Sequence, residues 1–287
     1  QAIKNGGTRT ARRVRSLRAR ARVALSGTPV ENRLEDLHSL FAFLNAGLLG
    51  TPTQFNHVVR RLAADTERGY APLRALIRPY VLRRSKSDRS VVPDLPDKTV
   101  VRVEAPLSSK QAALYGQIVD ELAERLRGLE GIQYRGAALA ALLRMKQVCN
   151  HPSQLLGDGD YRPDDSGKFR RLRELAETVF ERQERMLVFT QFRELVAPLA
   201  AFLATLAGRP GLTLDGSTAV GKRQALVDRF QEEDGPPFFV LSVKAGGTGL
   251  NLTRASHVVH FDRWWNPSVE NQATDRAFRI GQTRNVL

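Results

Sequence analysis
The sequence predicts an α/β protein: a parallel sheet with flanking helices over residues 168–287, preceded by a largely helical stretch. Three observations predict it. Short apolar runs alternate with amphipathic helical segments in the second half, the pattern of strands covered on both faces. The first half instead carries apolar residues at helical spacing, as in Leu34, Leu37, Leu40, Phe41 and Leu44. Between them, residues 157–167 are rich in Gly, Asp, Pro and Ser, a boundary signal.

Taken in order, residues 1–22 hold Lys4 and Arg9, Arg12, Arg13, Arg15, Arg18, Arg20 and Arg22 and no acid, so they read as a solvated helix face or as a disordered tail. Val23-Ala-Leu25 reads as a short buried strand running into the loop Ser26-Gly-Thr-Pro29. Helices follow over 34–44 and 54–77, and the proline-bearing stretch 86–98 reads as a linker. Val100–Val103 has the composition of a strand. Helices are expected over 108–127, opened by Ser108, and over 137–149. The second half then reads helix 168–183, strand 186–191, helix 193–206, strand 212–214, helix 219–233, strand 238–243, a glycine loop 245–251, strand 257–262 and helix 267–279. Asn266-Pro267 supplies a cap and a first-turn proline to the last helix, and Gly281 a stop. The organisation expected is therefore 1–33, 34–99, 100–156, a linker 157–167, and 168–287.

Composition narrows the function. The chain has 287 residues, net charge +14, and 44 basic residues of which eight are lysine. Arginine suits phosphate, because its planar fork binds oxyanions bidentately, and a basic domain is a nucleic-acid candidate. Compositional bias also produces arginine-rich chains. Cys149 is the only cysteine, which excludes disulfides within the chain and multi-cysteine zinc sites. Cys149 and His151 leave two ligands short of a metal site, and Cys149 reads as a buried small hydrophobe. No apolar run approaches the roughly 20 residues that span a bilayer. The expectation is a monomeric cytoplasmic protein without membrane association or a metal of its own.

Chemistry concentrates in three places. Gln272, Arg276 and Arg279 fall at i, i+4 and i+7 of the predicted last helix and so share one face. Two arginines converging from a rigid face suit a polyphosphate and stabilise charge on a transferring phosphoryl group; the same spacing also describes a solvated face paired with Glu270 and Asp275. The loop Ala245-Gly-Gly-Thr-Gly-Leu-Asn251, with Lys244 at its edge, follows a strong strand, and its glycines let backbone N–H groups approach phosphate or sugar oxygens, or simply turn the chain. The P-loop pattern G-x-x-x-x-G-K-[ST] occurs nowhere in the chain. Trp264 and Trp265, the only tryptophans, stand at a strand-to-helix junction, where one could stack on a base.

Five segments occur in order: Leu25-Ser-Gly-Thr-Pro-Val-Glu-Asn32, Val188-Phe-Thr-Gln-Phe192, Leu241-Ser-Val-Lys-Ala-Gly-Gly-Thr-Gly-Leu-Asn251, Asp262-Arg-Trp-Trp-Asn-Pro267 and Gln272-Ala-Thr-Asp-Arg-Ala-Phe-Arg-Ile-Gly-Gln282. The series resembles the Swi/Snf-type ATPases, double-stranded-DNA translocases of helicase superfamily two, and looks like a bacterial or archaeal member. The resemblance covers nearly the whole chain. It implies the end of a first RecA-like lobe, helical insertions that brace duplex DNA, and most of a second RecA-like lobe. Gln1-Ala-Ile-Lys-Asn5 resembles the tail of the family's Asp-Glu-Ala-Gln box without its Asp and Glu, so the resemblance implies a fragment that hydrolyses no ATP alone.

The resemblance also implies roles. ATP, with Mg2+ held by the other lobe, lies between the lobes. Arg276 and Arg279 match arginine fingers, with Gln282 beside them. Gly249 and Asn251 match the loop bordering the ribose. Thr28 and Trp265 match elements coupling nucleotide state and DNA grip. Thr190, Gln191, Gly216, Ser217, Ser242 and Lys244 match DNA-backbone contacts, Lys244 standing where relatives commonly carry arginine. The implied partners are double-stranded DNA and a DNA-bound protein that is remodelled. The alternatives are an RNA helicase of the same superfamily and a DNA-binding scaffold whose ATPase has decayed.

Overall fold
The computed structural model describes residues 3–27, 29–30, 33–84, 95–127, 129–245 and 249–287. They fall into two compact units, the first ending at residue 93 and the second beginning at 94.

The first unit is helical among its described residues: α1 (Arg9–Ser16), α2 (Glu35–Leu44), α3 (Pro52–Ala64) and α4 (Ala71–Ile77). Each start has a local cause. The Thr8 hydroxyl accepts from the Ala11 N–H to cap α1, and Thr51 with Gln54 forms a capping box on α3. Leu37, Phe41, Phe55, Leu62 and Leu73 close into a small core. The expected strand at 23–25 does not form: these residues are irregular, and Val23 and Leu25 are 78% and 94% exposed. A lone strand has no ladder to join, and this unit has no other strand among its described residues. The basic segment is helical only over α1. Two of its arginines are internal ties, Arg15 donating to the Ser39 hydroxyl and Arg22 to the Phe43 carbonyl while lying over the Phe43 ring.

The second unit opens with an antiparallel helical pair, α5 (Ser109–Leu126) and α6 (Gly131–Asn150), followed by α7 (Pro152–Leu156). Ser108 and Gln111 form a capping box on α5. Gln111 is fully buried and makes four hydrogen bonds. Its amide donates to the Val148 and Cys149 carbonyls, at 2.7 and 3.2 Å, and its oxygen accepts from the Ser108 and Gly167 N–H groups, both at 3.0 Å. Gly167 must be glycine, because a Cβ there would lie 1.7 Å from the Pro106 oxygen.

The rest is a layered α/β lobe: α8 (Gly167–Glu181), β1 (Met186–Thr190), α9 (Val196–Ala207), β2 (Leu212–Leu214), α10 (Val220–Gln231), β3 (Phe238–Ser242), β4 (His257–His260) and α11 (Pro267–Thr274). The four strands are parallel in the order β2-β3-β1-β4, with Met186 opposite Phe238 and His257. Side chains alternate between two cores, as a strand requires. Leu187, Phe189, Phe239 and Leu241 face one core, with Phe230 of α10 and Ala273 of α11. Met186, Val188, Phe238 and Val240 face the other, with Phe169 of α8 and Leu199 of α9.

Beyond β4 the sheet continues as short rungs. The Val258 N–H donates to the Leu287 carbonyl and the Thr99 N–H to the Val286 carbonyl, at 2.8 and 2.9 Å. Residues 95–99 therefore pack on this lobe. Val100–Val103, expected as a strand, is irregular, because pairing on this side runs from Asp97 and stops at Thr99. Among the described residues no helix is long and apolar enough to cross a membrane.

Candidate functional site
All four strands are parallel, so the loops that follow them gather at one edge of the sheet, where ligands bind in open α/β lobes. The edge is organised around Asp262. Its carboxylate accepts the Thr190 hydroxyl at 2.5 Å and the Gln191 N–H at 2.9 Å, joining the ends of β1 and β4. Burial pushes the Asp262 carboxyl above its usual range, against those two bonds and the charges of Lys168 and Lys146. Lys168 is half-buried; its ammonium donates to the Asn150 side chain and lies over the Phe261 ring. Desolvation pulls its pKa down.

The residues expected on the DNA side divide in three by exposure. Gly216, Ser217 and Lys244 are exposed. Ser217 donates through its N–H and hydroxyl to Asp215, which also takes Arg193 at 3.1 Å. The Lys244 ammonium stands 5.6 Å from the Trp264 ring. Gln191 is half-buried, and its amide nitrogen has no hydrogen-bond partner among the described residues. Thr190 and Ser242 are buried, with the Thr190 hydroxyl given to Asp262 and the Ser242 hydroxyl accepting from the Ala245 N–H. The terminal residue of a strand buried on both faces points into the lobe, so these two hydroxyls shape the loops from beneath.

After Asp262 the chain passes through Arg263, Trp264 and Trp265 into α11. Glu270 takes the Arg263 guanidinium in a fork, at 2.8 Å on each arm, and the Trp264 N–H at 2.8 Å. The Asn266 side chain caps the helix as expected. Trp265 stays 68% exposed.

The arginines are not carried on one helical face. α11 ends at Thr274, and the chain continues in turns, so the i, i+4, i+7 relation of Gln272, Arg276 and Arg279 is lost. The cause is tertiary: the Arg276 carbonyl accepts the Leu252 N–H at 2.9 Å. That bond draws the segment onto the glycine loop. Arg276 is only 7% exposed, with its guanidinium 5.9 Å from the Phe189 ring. Its Nε and Nη1 have no partner among the described residues, and burial pulls its pKa down to about 10. Arg279 is exposed and donates to the Gly249 carbonyl at 3.4 Å. Gly249 has φ +69°, the left-handed region that favours glycine. Arg276, Arg279, Gly249 and Asn251 are thus brought together, the last two exposed.

Gln282, expected beside the two arginines, lies in the turn that follows Arg279. It is buried, its amide donates to the Ala255 and Ala277 carbonyls, and its oxygen accepts from the Thr283 and Arg284 N–H groups. It fixes the turn from which Arg279 projects. Thr28 and residues 246–248 lie outside the described residues. His151 uses both ring nitrogens, accepting from Ser153 and meeting the Arg162 carbonyl at 2.8 Å, and so caps α7. Among the described residues no group of three or more metal-ligating side chains occurs. The sequence reading gave Asp262 no role and offered Glu270 only as a partner of the helix-face arginines; the structure sets it on Arg263 and Trp264 instead, and an acid at the end of an apolar strand was the available signal for Asp262.

Comparison with known proteins places this geometry. The SNF2-related domain matches residues 1–154, and the helicase conserved C-terminal domain matches 167–281. The chain belongs to the SNF2 family of ATP-dependent helicases. YwqA of Bacillus subtilis, named as a candidate ATP-dependent helicase/translocase, is 43% identical over 290 residues, covering 100% of this chain and 31% of YwqA. The Zorya protein ZorD of Escherichia coli O139:H28 is 39% identical over 300 residues, covering 100% and 27%. The human DNA excision repair protein ERCC-6 is 31% identical over 312 residues, covering 99% and 21%. The chain thus spans less than a third of the length of these SNF2 relatives.

Among solved structures, the Sulfolobus solfataricus SWI2/SNF2 ATPase core in complex with dsDNA matches with TM-score 0.60 at 37% identity, covering 99% of this chain and 60% of that one. The C-terminal domain of the same ATPase matches with TM-score 0.57 at 36% identity, covering 61% and 76%. The four-stranded parallel sheet with its helices is the RecA-like lobe of the SWI2/SNF2 ATPase fold.

Proposed function
We propose that the protein is an ATP-dependent double-stranded-DNA translocase that remodels protein–DNA complexes, and that this chain supplies arginine fingers and DNA-backbone contacts to it. The observation that carries the reading is Arg276: a buried guanidinium with Nε and Nη1 unpartnered among the described residues, beside the exposed Gly249 and Asn251. Burying a cation without a partner costs free energy, so the arrangement makes physical sense when an anion arrives. A triphosphate fits that need, with Arg279 as a second, exposed donor at the same loop. Such donors stabilise the charge that grows on a transferring γ-phosphoryl group.

The exposed Gly216, Ser217, Lys244 and Trp265 support a grip on nucleic acid at the same edge, and phosphate contacts of this kind hold a duplex without reading its sequence. ATP and Mg2+ are the cofactors of the reading. The chain holds no P-loop pattern, and by itself it is proposed to hydrolyse no ATP.

The test is ATP turnover by the full-length protein with no nucleic acid, duplex DNA, single-stranded DNA or RNA, beside an Arg279→Ala variant. Strong stimulation by duplex DNA, lost in the variant, is expected. Stimulation by RNA instead would make the protein an RNA helicase, and no turnover under any condition would leave a DNA-binding scaffold.

A further inference from the structure
The loop Asp262–Asn266 has three sets of anchors, and one comes from outside the lobe. Asp262 is tied to β1, and Glu270 of α11 ties Arg263 and Trp264. The third anchor is Lys146, on α6 of the helical pair. Its ammonium donates to the Arg263 carbonyl at 2.8 Å and stands 5.0 Å from the centroid of the Trp265 ring. Removing an ammonium from water is costly, and burial does pull the Lys146 pKa down, with the Asp262 and Glu270 carboxylates acting the other way. The cost is offset where a carbonyl and an aromatic face receive the cation together. The two contacts fall on consecutive parts of one loop, so one side chain fixes both the path of the backbone and the tilt of the indole. Trp265 remains 68% exposed, held yet open to solvent. The same loop leads into α11, whose end carries Arg276.

We propose that Lys146 is a positioning residue that links the α5–α6 pair to Trp265 and, through α11, to the arginine segment, so that engagement of duplex DNA raises ATP turnover. The proposal rests on the translocase reading above. Lys146 touches neither nucleotide nor reacting atoms. Its role is to make the helical pair and the Trp265 loop move as one piece. Without it the loop keeps its ties to β1 and α11 and the lobe stays folded, but the pair no longer acts on the loop.

The test has two arms. In the full-length protein, Lys146→Met should leave turnover without DNA unchanged and lower the maximal stimulation by duplex DNA by about 10²-fold, the scale of a 1 Å misplacement. The DNA concentration giving half-maximal stimulation should change by less than about threefold, because no phosphate contact is lost. Lys146→Arg, which can donate to the same carbonyl and stack on the same ring, should restore most of the stimulation. Three outcomes would overturn the proposal: full stimulation of Lys146→Met, a loss explained wholly by weaker DNA affinity, or failure of Lys146→Arg to restore what Lys146→Met loses.

The second arm uses this chain with Trp264→Phe, so that emission reports Trp265 alone. Emission should shift with Lys146→Met and return with Lys146→Arg. Unchanged emission would overturn the contact itself, whatever the nucleotide chemistry. A wild-type protein that duplex DNA does not stimulate would overturn the translocase reading, and the coupling with it, while the emission result would still decide the contact.

Discussion
The Thr190 hydroxyl donates to the buried Asp262 carboxylate at 2.5 Å, joining the last residue of β1 to the chain just beyond β4. Two loops of the candidate site therefore share one fastening, and the residue types that looked suited to DNA contact are partly spent on holding those loops.

Thr190→Val removes that donor and leaves a carboxylate oxygen buried without it. The expected cost is about 1–3 kcal/mol of folding stability, read as a lower urea midpoint with an unchanged slope. An unchanged midpoint would mean that Asp262 finds another donor.

Arg276→Met separates activity from stability. A buried cation with unpartnered donors costs the fold, and methionine fills similar space without charge. Turnover by the full-length protein should fall by about 10³-fold or more, while the urea midpoint of the chain should hold or rise. A fall in both would make Arg276 a structural residue and sink its proposed role.

Acid should destabilise the second unit through His260. Burial holds this imidazole below its ordinary value of 6.5, with its ring stacked 5.6 Å from Phe189 and Nε2 at 2.9 Å from the Thr274 hydroxyl. The folded ring then stays neutral where the unfolded ring takes a proton. The unfolded state binds more protons, so stability is intact above the unfolded value and falls as pH drops below it, until the folded ring protonates too. His151 is shifted in the same direction. Comparing urea midpoints at about pH 7.5 and about pH 5.5, the loss should be smaller in His260→Gln, which keeps a partner for Thr274. Equal losses would assign the effect to other groups.

Lys244→Gln should weaken duplex binding about equally for all sequences and reduce the slope of log affinity against log salt by about one. A weaker affinity with the slope intact would place Lys244 on Trp264 rather than on phosphate.

Most of the lobe could be read from local pattern. The strands at 186–190, 212–214 and 238–242 are apolar runs that need only neighbours of the same kind, and the caps at Ser108 and Asn266 act within one turn. What escaped reading was decided at long range. α11 stops at Thr274 because a loop more than twenty residues earlier takes the Arg276 carbonyl, and nothing between Asp275 and Gly281 announces it. The hydrogen-bond partners of Gln282 and Thr190, Ala255 and Asp262, lie 27 and 72 residues away in sequence. Val23–Leu25 has strand composition without a strand beside it.

Gln111 has a mechanical consequence. Its four bonds fasten the start of α5, the end of α6 and the first residue of α8 at a single point, while the opposite end of the pair extends away from it. Measured along α5, the free end lies roughly 25 Å from that point at 1.5 Å per residue. The pair is a cantilever rooted at the start of α8. A rotation of the lobe too slight to disturb its core would sweep the tip through several times the displacement at the root.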